Sequence, residues 1–214
     1  PVLPFHVNCY GGALVRTRGG QIAPTEAATQ PDPPAPTAAA CFDLGRAIAK
    51  AFAASPWRVA LVGSSSWSHA FLTKKNSWLY PDHASDRARL AELRDGKFTA
   101  WRDLTGAQLE DAGQHELLNW VTLAGAMAEA GKARFQTICI ACHGLDAKGN
   151  KAIGAPNLTD DVWLFGGTAE DIEYGLRNGR QGKMPAWSDI LGKEKTRLVA
   201  AYVYSLSHAD GGAR

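Results

Sequence analysis

The chain has 214 residues, 45% hydrophobic and 21% charged, with a net charge of +2. That length holds one large domain or two small ones, and the composition is that of a globular protein. So small a charge excludes nucleic acid as an expected partner, and no run of about 18 apolar residues is present to span a membrane. The excess lies in the second part: residues 1–130 carry 12 basic and 12 acidic side chains, residues 131–214 carry 11 and 9. No basic stretch followed by an apolar run stands behind Pro1, as expected of a fragment or of a chain whose targeting segment has been removed.

Along the chain, "LPFHVNCY" (residues 3–10) reads as a strand, and the Pro/Ala-rich residues 23–40 as an extended loop. From Cys41 to Ser55, Leu44, Ile48 and Phe52 recur at helical spacing, and Pro56 follows. "RVALVGSSS" (58–66) is a short β-branched run, expected as a buried strand of an α/β layer. Helical periodicity returns from Thr105, with Leu117, Leu118 and Val121 on an apolar stripe that Gly131 is expected to interrupt. Further helices are predicted at 132–142, 169–178 and 194–207. The second of these has a capping-box spacing, Thr168 to Asp171, and Gly179 at its end. The domain boundary is placed near Gly131, giving domains at 1–130 and 131–208 and a tail at 209–214. Cys9 and Cys41 are isolated and read as small buried apolar side chains.

"ICIACHG" (138–144) is the motif that carries chemistry. Two thiols one helical turn apart can add to the two vinyl groups of one porphyrin, and the adjacent imidazole can reach its iron. A zinc half-site also uses Cys-x-x-Cys, but it needs a second ligand pair, and His115 and His208 do not form one. Downstream, "GAPNL" (154–158) precedes "GKMPAW" (182–187), where Met184 lies in a segment too polar for ordinary core. Gly131, Phe135 and Cys139 share one helix face, and Tyr202 lies on the apolar face of the last helix. A glycine there lets two backbones approach while Phe135 and Tyr202 stack.

These residues, with "GAPNLTDDVWLFGGTAEDI" and "NGRQGKMPAW", resemble a class I cytochrome c over 131–208, and more narrowly the C-terminal haem domain of the diheme subunit of cbb-type haem–copper oxidases. The resemblance implies an all-α fold around one covalent haem c. Cys139 and Cys142 would be the thioether anchors, His143 and Met184 the axial ligands, and the Pro156 carbonyl would receive the His143 ring N–H. It implies electron transfer to a redox protein partner, oxidase subunits among the candidates, at the periplasmic or outer face of the bacterial inner membrane. Arg177, Arg180 and Lys183, close to Met184 in sequence, are expected to rim the haem edge and steer acidic partners.

Residues 1–130 carry a different pattern. "PFHVNCYG", "SSSWSHAFL" and "QHELLNWVTLAGAM" resemble the catalytic subunit of class III extradiol ring-cleavage dioxygenases, which hold non-haem Fe(II) with two histidines and a carboxylate. By that resemblance His69 would be the acid–base histidine and Glu116 the carboxylate ligand. The histidine pair of the family has no counterpart here, so a truncated α/β layer without activity of its own is expected. The alternative function is thus a cytoplasmic dioxygenase subunit. The fold class expected overall is mixed, a partial α/β layer followed by an all-α haem domain.

Overall fold

A computed structural model of the chain describes residues 2–10, 34–180 and 184–208. In chain order its α-helices are α1 (Ala38–Ala53), α2 (His83–Arg94), α3 (Gly106–Ala112), α4 (Leu117–Arg134), α5 (Ile140–His143), α6 (Ala169–Asn178) and α7 (Ser188–Ser207), with short 3₁₀ turns between some of them. Among the described residues no helix is long and apolar enough to cross a membrane. Two compact units are assembled from alternating stretches: Pro1–Gly45, Trp57–Arg89 and Trp101–Gly125 make the first, and Arg46–Pro56, Leu90–Ala100 and Ala126–Arg214 the second.

The first unit corrects the α/β expectation. Residues 3–10 and 58–66 form no strand, and no sheet occurs among the described residues. A β-branched run becomes a strand only when a neighbour takes up its N–H and C=O groups. Here no ladder forms, and Val59 and Val62 are 46% and 81% exposed rather than buried between helices. The unit's buried side chains come instead from helices and turns: Cys41 and Phe42 of α1, Trp101, and Leu117, Leu118 and Val121 of α4. On α1 the buried stripe includes Cys41, Phe42 and Ile48, while Leu44, expected inside, is exposed. Most of the predicted Pro/Ala-rich loop and the 209–214 tail lie outside the described residues.

α2 was not expected, because it buries nothing. Its start is set by polar groups: Asp82 accepts from the Ser85 N–H (3.2 Å) and also receives the Ser85 hydroxyl and the Lys75 ammonium. α3 begins on a capping box between Thr105 and Gln108 and ends at Gly113.

In the second unit α4 does not break at Gly131 as expected. It runs through the glycine to Arg134, continues as a π-helical turn over Phe135–Cys139, and passes into α5. Gly131 is required by packing: a Cβ there would lie 2.3 Å from the Leu198 carbonyl oxygen and 3.2 Å from the Tyr202 Cβ. One turn on, the Phe135 and Tyr202 rings meet at 5.3 Å with planes tilted by 58°. The predicted clasp between the two helices is therefore present. α6 occupies the predicted residues and carries the predicted capping box. α7 starts earlier than expected and is broken at Gly192 (φ 73°, ψ 165°), and Thr196 bonds the Gly192 carbonyl at 2.8 Å. Phe135, Leu158, Ile172, Leu176, Leu191, Val199 and Val203 form the buried core of this unit.

Candidate functional site

The Cys-x-x-Cys-His segment sits where the π turn hands over to α5. A π turn adds a residue to the helix and is common at functional positions. Cys139 is half-buried against the core of the second unit, and Cys142 is exposed. Burial, and then the neighbouring Cys142, push the Cys139 thiol up to about 11, so it stays protonated at neutral pH. His143 is 8% exposed, and its Nδ1 lies 3.1 Å from the Pro156 carbonyl oxygen. The turn that brings Pro156 there is closed by paired bonds between Asn150 and Ala155 (2.9 and 3.0 Å) and by the Gly149 N–H on the His143 carbonyl (2.9 Å). With Nδ1–H donated to Pro156, Nε2 keeps its lone pair for a metal.

Met184 packs against the same core as Cys139. The segment bearing it folds back on the end of α6: the Trp187 N–H bonds the Leu176 carbonyl (2.8 Å) and the Ser188 hydroxyl bonds the Arg177 carbonyl (3.0 Å). Gly179 (φ 70°) makes the reversal, and a Cβ there would meet the Met184 carbonyl oxygen at 3.0 Å. Gly182 and Lys183 lie outside the described residues. Arg177 and Arg180, expected as a docking rim, are engaged within the chain. Arg177 pairs with Glu173 (2.5 Å), and Arg180 lies between the Phe165 and Tyr174 rings.

Trp163 is a candidate site residue that the sequence alone does not single out. It packs against the same core as Cys139 and Met184, and its buried indole N–H has no hydrogen-bond partner among the described residues. A buried donor without an acceptor costs about 1–3 kcal/mol. An apolar group bearing an acidic substituent would satisfy it, so thiols, imidazole, thioether and indole together fit a haem. The available signal was a single tryptophan between two aspartates and two glycines in "DDVWLFGG".

In the first unit His69 and Glu116 come together. The Nε2 of His69 is 3.2 Å from the Glu116 Oε1. The His69 backbone is fixed by its N–H on the Gly113 carbonyl (3.1 Å) and by Thr73 on its own carbonyl (2.8 Å). Glu116 also receives the Tyr10 hydroxyl and the Ser66 N–H (3.0 Å). Burial raises its pKa, but these donors and the neighbouring His69 outweigh that, and the carboxyl is held below its ordinary value. Burial and the Glu116 hydrogen bond push the Tyr10 phenol far up. Tyr10, a second residue that sequence reading missed, therefore blocks one carboxylate oxygen. Among the described residues no group of three or more His, Cys, Asp and Glu side chains is placed to hold a metal ion.

Two family models match the chain. That of cbb3-type cytochrome c oxidase subunit III covers residues 126–203, and that of the catalytic LigB subunit of aromatic ring-opening dioxygenase covers residues 29–149, more than half of the sequence. The chain belongs to the second of these families, whose model covers more than half of it, and its residues 126–203 match the model of the first. Among curated relatives, the cbb3-type cytochrome c oxidase subunit CcoP of Rhodobacter capsulatus is 42% identical over 111 residues, 48% of this chain and 37% of that protein. The subunit FixP of a Bradyrhizobium species is 46% identical over 85 residues, 40% and 29% of the two chains. FixP of Sinorhizobium medicae is 34% identical over 130 residues, 60% and 44%. The matched part thus spans less than half the length of these relatives. No solved structure matches the chain.

Proposed function

We propose that residues 131–208 form an electron-carrying domain with one covalent haem c, held by Cys139 and Cys142 and ligated by His143 and Met184. The observation that carries this reading is the His143–Pro156 hydrogen bond, which leaves Nε2 as the coordinating nitrogen. When bound, the haem supplies a one-electron couple. The chain's own residues do the rest. Pro156 fixes the imidazole tautomer, Met184 presents a soft neutral sulfur that favours the ferrous state, and Trp163 offers its N–H to a propionate. An imidazole and a thioether together would leave a bound haem no open site for oxygen, which favours electron transfer. The named relatives are oxidase subunits, which supports an oxidase complex as partner and the periplasmic or outer face of the inner membrane as location.

The alternative reading, an extradiol dioxygenase subunit using Fe(II) in the cytoplasm, is favoured by the pairing of His69 with Glu116. It is weakened by the three donors already on Glu116, which compete with a metal for its oxygens. Substitution at Met184 tests the carrier reading. Met184→Ala opens the sixth position, lowers the reduction potential and admits carbon monoxide. Met184→His restores a six-coordinate spectrum at a potential below the parent's. An unchanged spectrum and potential in both variants would remove Met184 as the ligand.

A further inference from the structure

Arg180 stands at the start of the segment that reaches Met184, and its guanidinium is docked on α6. Its Cζ lies 4.9 Å from the centres of both the Phe165 and the Tyr174 rings. One of its terminal N–H groups donates to the Asp171 carbonyl at 2.9 Å. The side chain passes over Gly175, where a Cβ would come within 3.1 Å of the Arg180 Nε. The segment is therefore pinned to α6 at two places. Trp187 and Ser188 hold its far end on the Leu176 and Arg177 carbonyls, and Arg180 holds the near end. The only sulfur of the segment lies between the two pins.

We propose that Arg180 is a positioning residue for Met184: its docking between Phe165 and Tyr174 fixes the near anchor of the methionine segment and keeps the thioether on the iron. This rests on His143 and Met184 being the axial ligands. A thioether is a weak ligand, so its departure depends on how much conformational freedom the chain gains by letting go. Two fixed anchors restrict that gain. A planar guanidinium can stack on two rings at once, which a lysine ammonium cannot reproduce, so the device is specific to arginine. This role differs from partner steering, because the charge faces two rings of its own chain.

The test uses the haem-loaded chain. Cyanide binding to the oxidised protein is limited by departure of the methionine, and the sulfur-to-iron charge-transfer absorption reports the bound thioether. Arg180→Ala speeds cyanide binding by about tenfold, the factor that ~1.4 kcal/mol corresponds to. It also weakens the absorption and lowers the reduction potential. Arg180→Lys falls between Arg180→Ala and the parent. Phe165→Leu and Tyr174→Leu, which keep the arginine and alter half-exposed rings, each give about threefold, within the range of one cation–π contact. Arg177→Ala, which removes a neighbouring charge paired to Glu173, leaves the rate unchanged. Equal cyanide rates in the parent, Arg180→Ala and both ring variants would overturn the proposal while leaving the ligand assignment intact. Should Arg180→Ala not retain haem, the ring variants decide. A parent without covalent haem would overturn the ligand assignment and this proposal with it.

Discussion

Glu116 is surrounded by donors that only its ionised form satisfies: the Tyr10 hydroxyl, the Ser66 N–H and the His69 ring. Its pKa is lower folded than unfolded, so the unfolded chain binds more protons in that window. The stabilisation is complete above the ordinary carboxylate value and is lost as pH falls through the depressed one. Tyr10→Phe removes one of the donors, raises the folded pKa and moves the acid midpoint upward. It costs about 1.5 kcal/mol at neutral pH, the low end for a hydrogen bond to a charged group. Acid titration followed by tryptophan fluorescence measures both effects, and an unshifted midpoint would contradict the donor assignment. Two thiols, an imidazole and a thioether, groups whose chemistry is intrinsic, were legible from their spacing as the proposed haem ligands. The sequence did not show the contacts of Trp163, Arg180 and Tyr10, which come from residues elsewhere in the chain: the core that includes Phe135 for the indole, Phe165 for the guanidinium, Glu116 for the phenol.

Among the elements, Gly131 is where α4 and α7 come close enough that no Cβ fits. Gly131→Ala places a methyl group 2.3 Å from the Leu198 carbonyl oxygen, which forces α4 and α7 apart locally and destabilises by about 1–3 kcal/mol. Gly106→Ala, at a helical glycine with nothing within 4 Å of the added carbon, is neutral or stabilises by up to about 1 kcal/mol. Thermal melts of the two variants against the parent separate crowding from helix propensity, and equal shifts would contradict the clasp. Elements defined by caps and apolar period were readable: α6 from Thr168, Asp171 and Gly179, and the clasp from Gly131, Phe135 and Tyr202. Three features were not. α2 lacks an apolar face and depends on Asp82. The π turn at Phe135–Cys139 has no sequence period of its own. Residues 58–66 have strand-like composition but no neighbouring strand, and composition cannot supply a partner.

For the whole molecule, two family models match along one sequence and overlap at residues 126–149. Only the second part carries every residue proposed to hold its cofactor. His69 and Glu116 are paired with each other and with Tyr10, so the chain alone is expected not to cleave catechols, and His69→Ala is expected to change nothing in such an assay. Catechol turnover lost in that variant would reverse the ranking of the two readings. In the second unit Cys139, Met184 and Trp163, with its unsatisfied N–H, pack against one core, and Cys142 and His143 follow Cys139 in the chain. Covalent haem attachment separates the two readings. Its most direct measurement is the reduced pyridine haemochrome spectrum of protein matured with the haem-attachment machinery and then extracted with acidified acetone. Haem is expected to stay with the parent chain, with the spectrum of two saturated vinyl positions, and to be extracted completely from the Cys139→Ala/Cys142→Ala variant. Haem that extracts from the parent, or that remains covalently bound in the double variant, would contradict it.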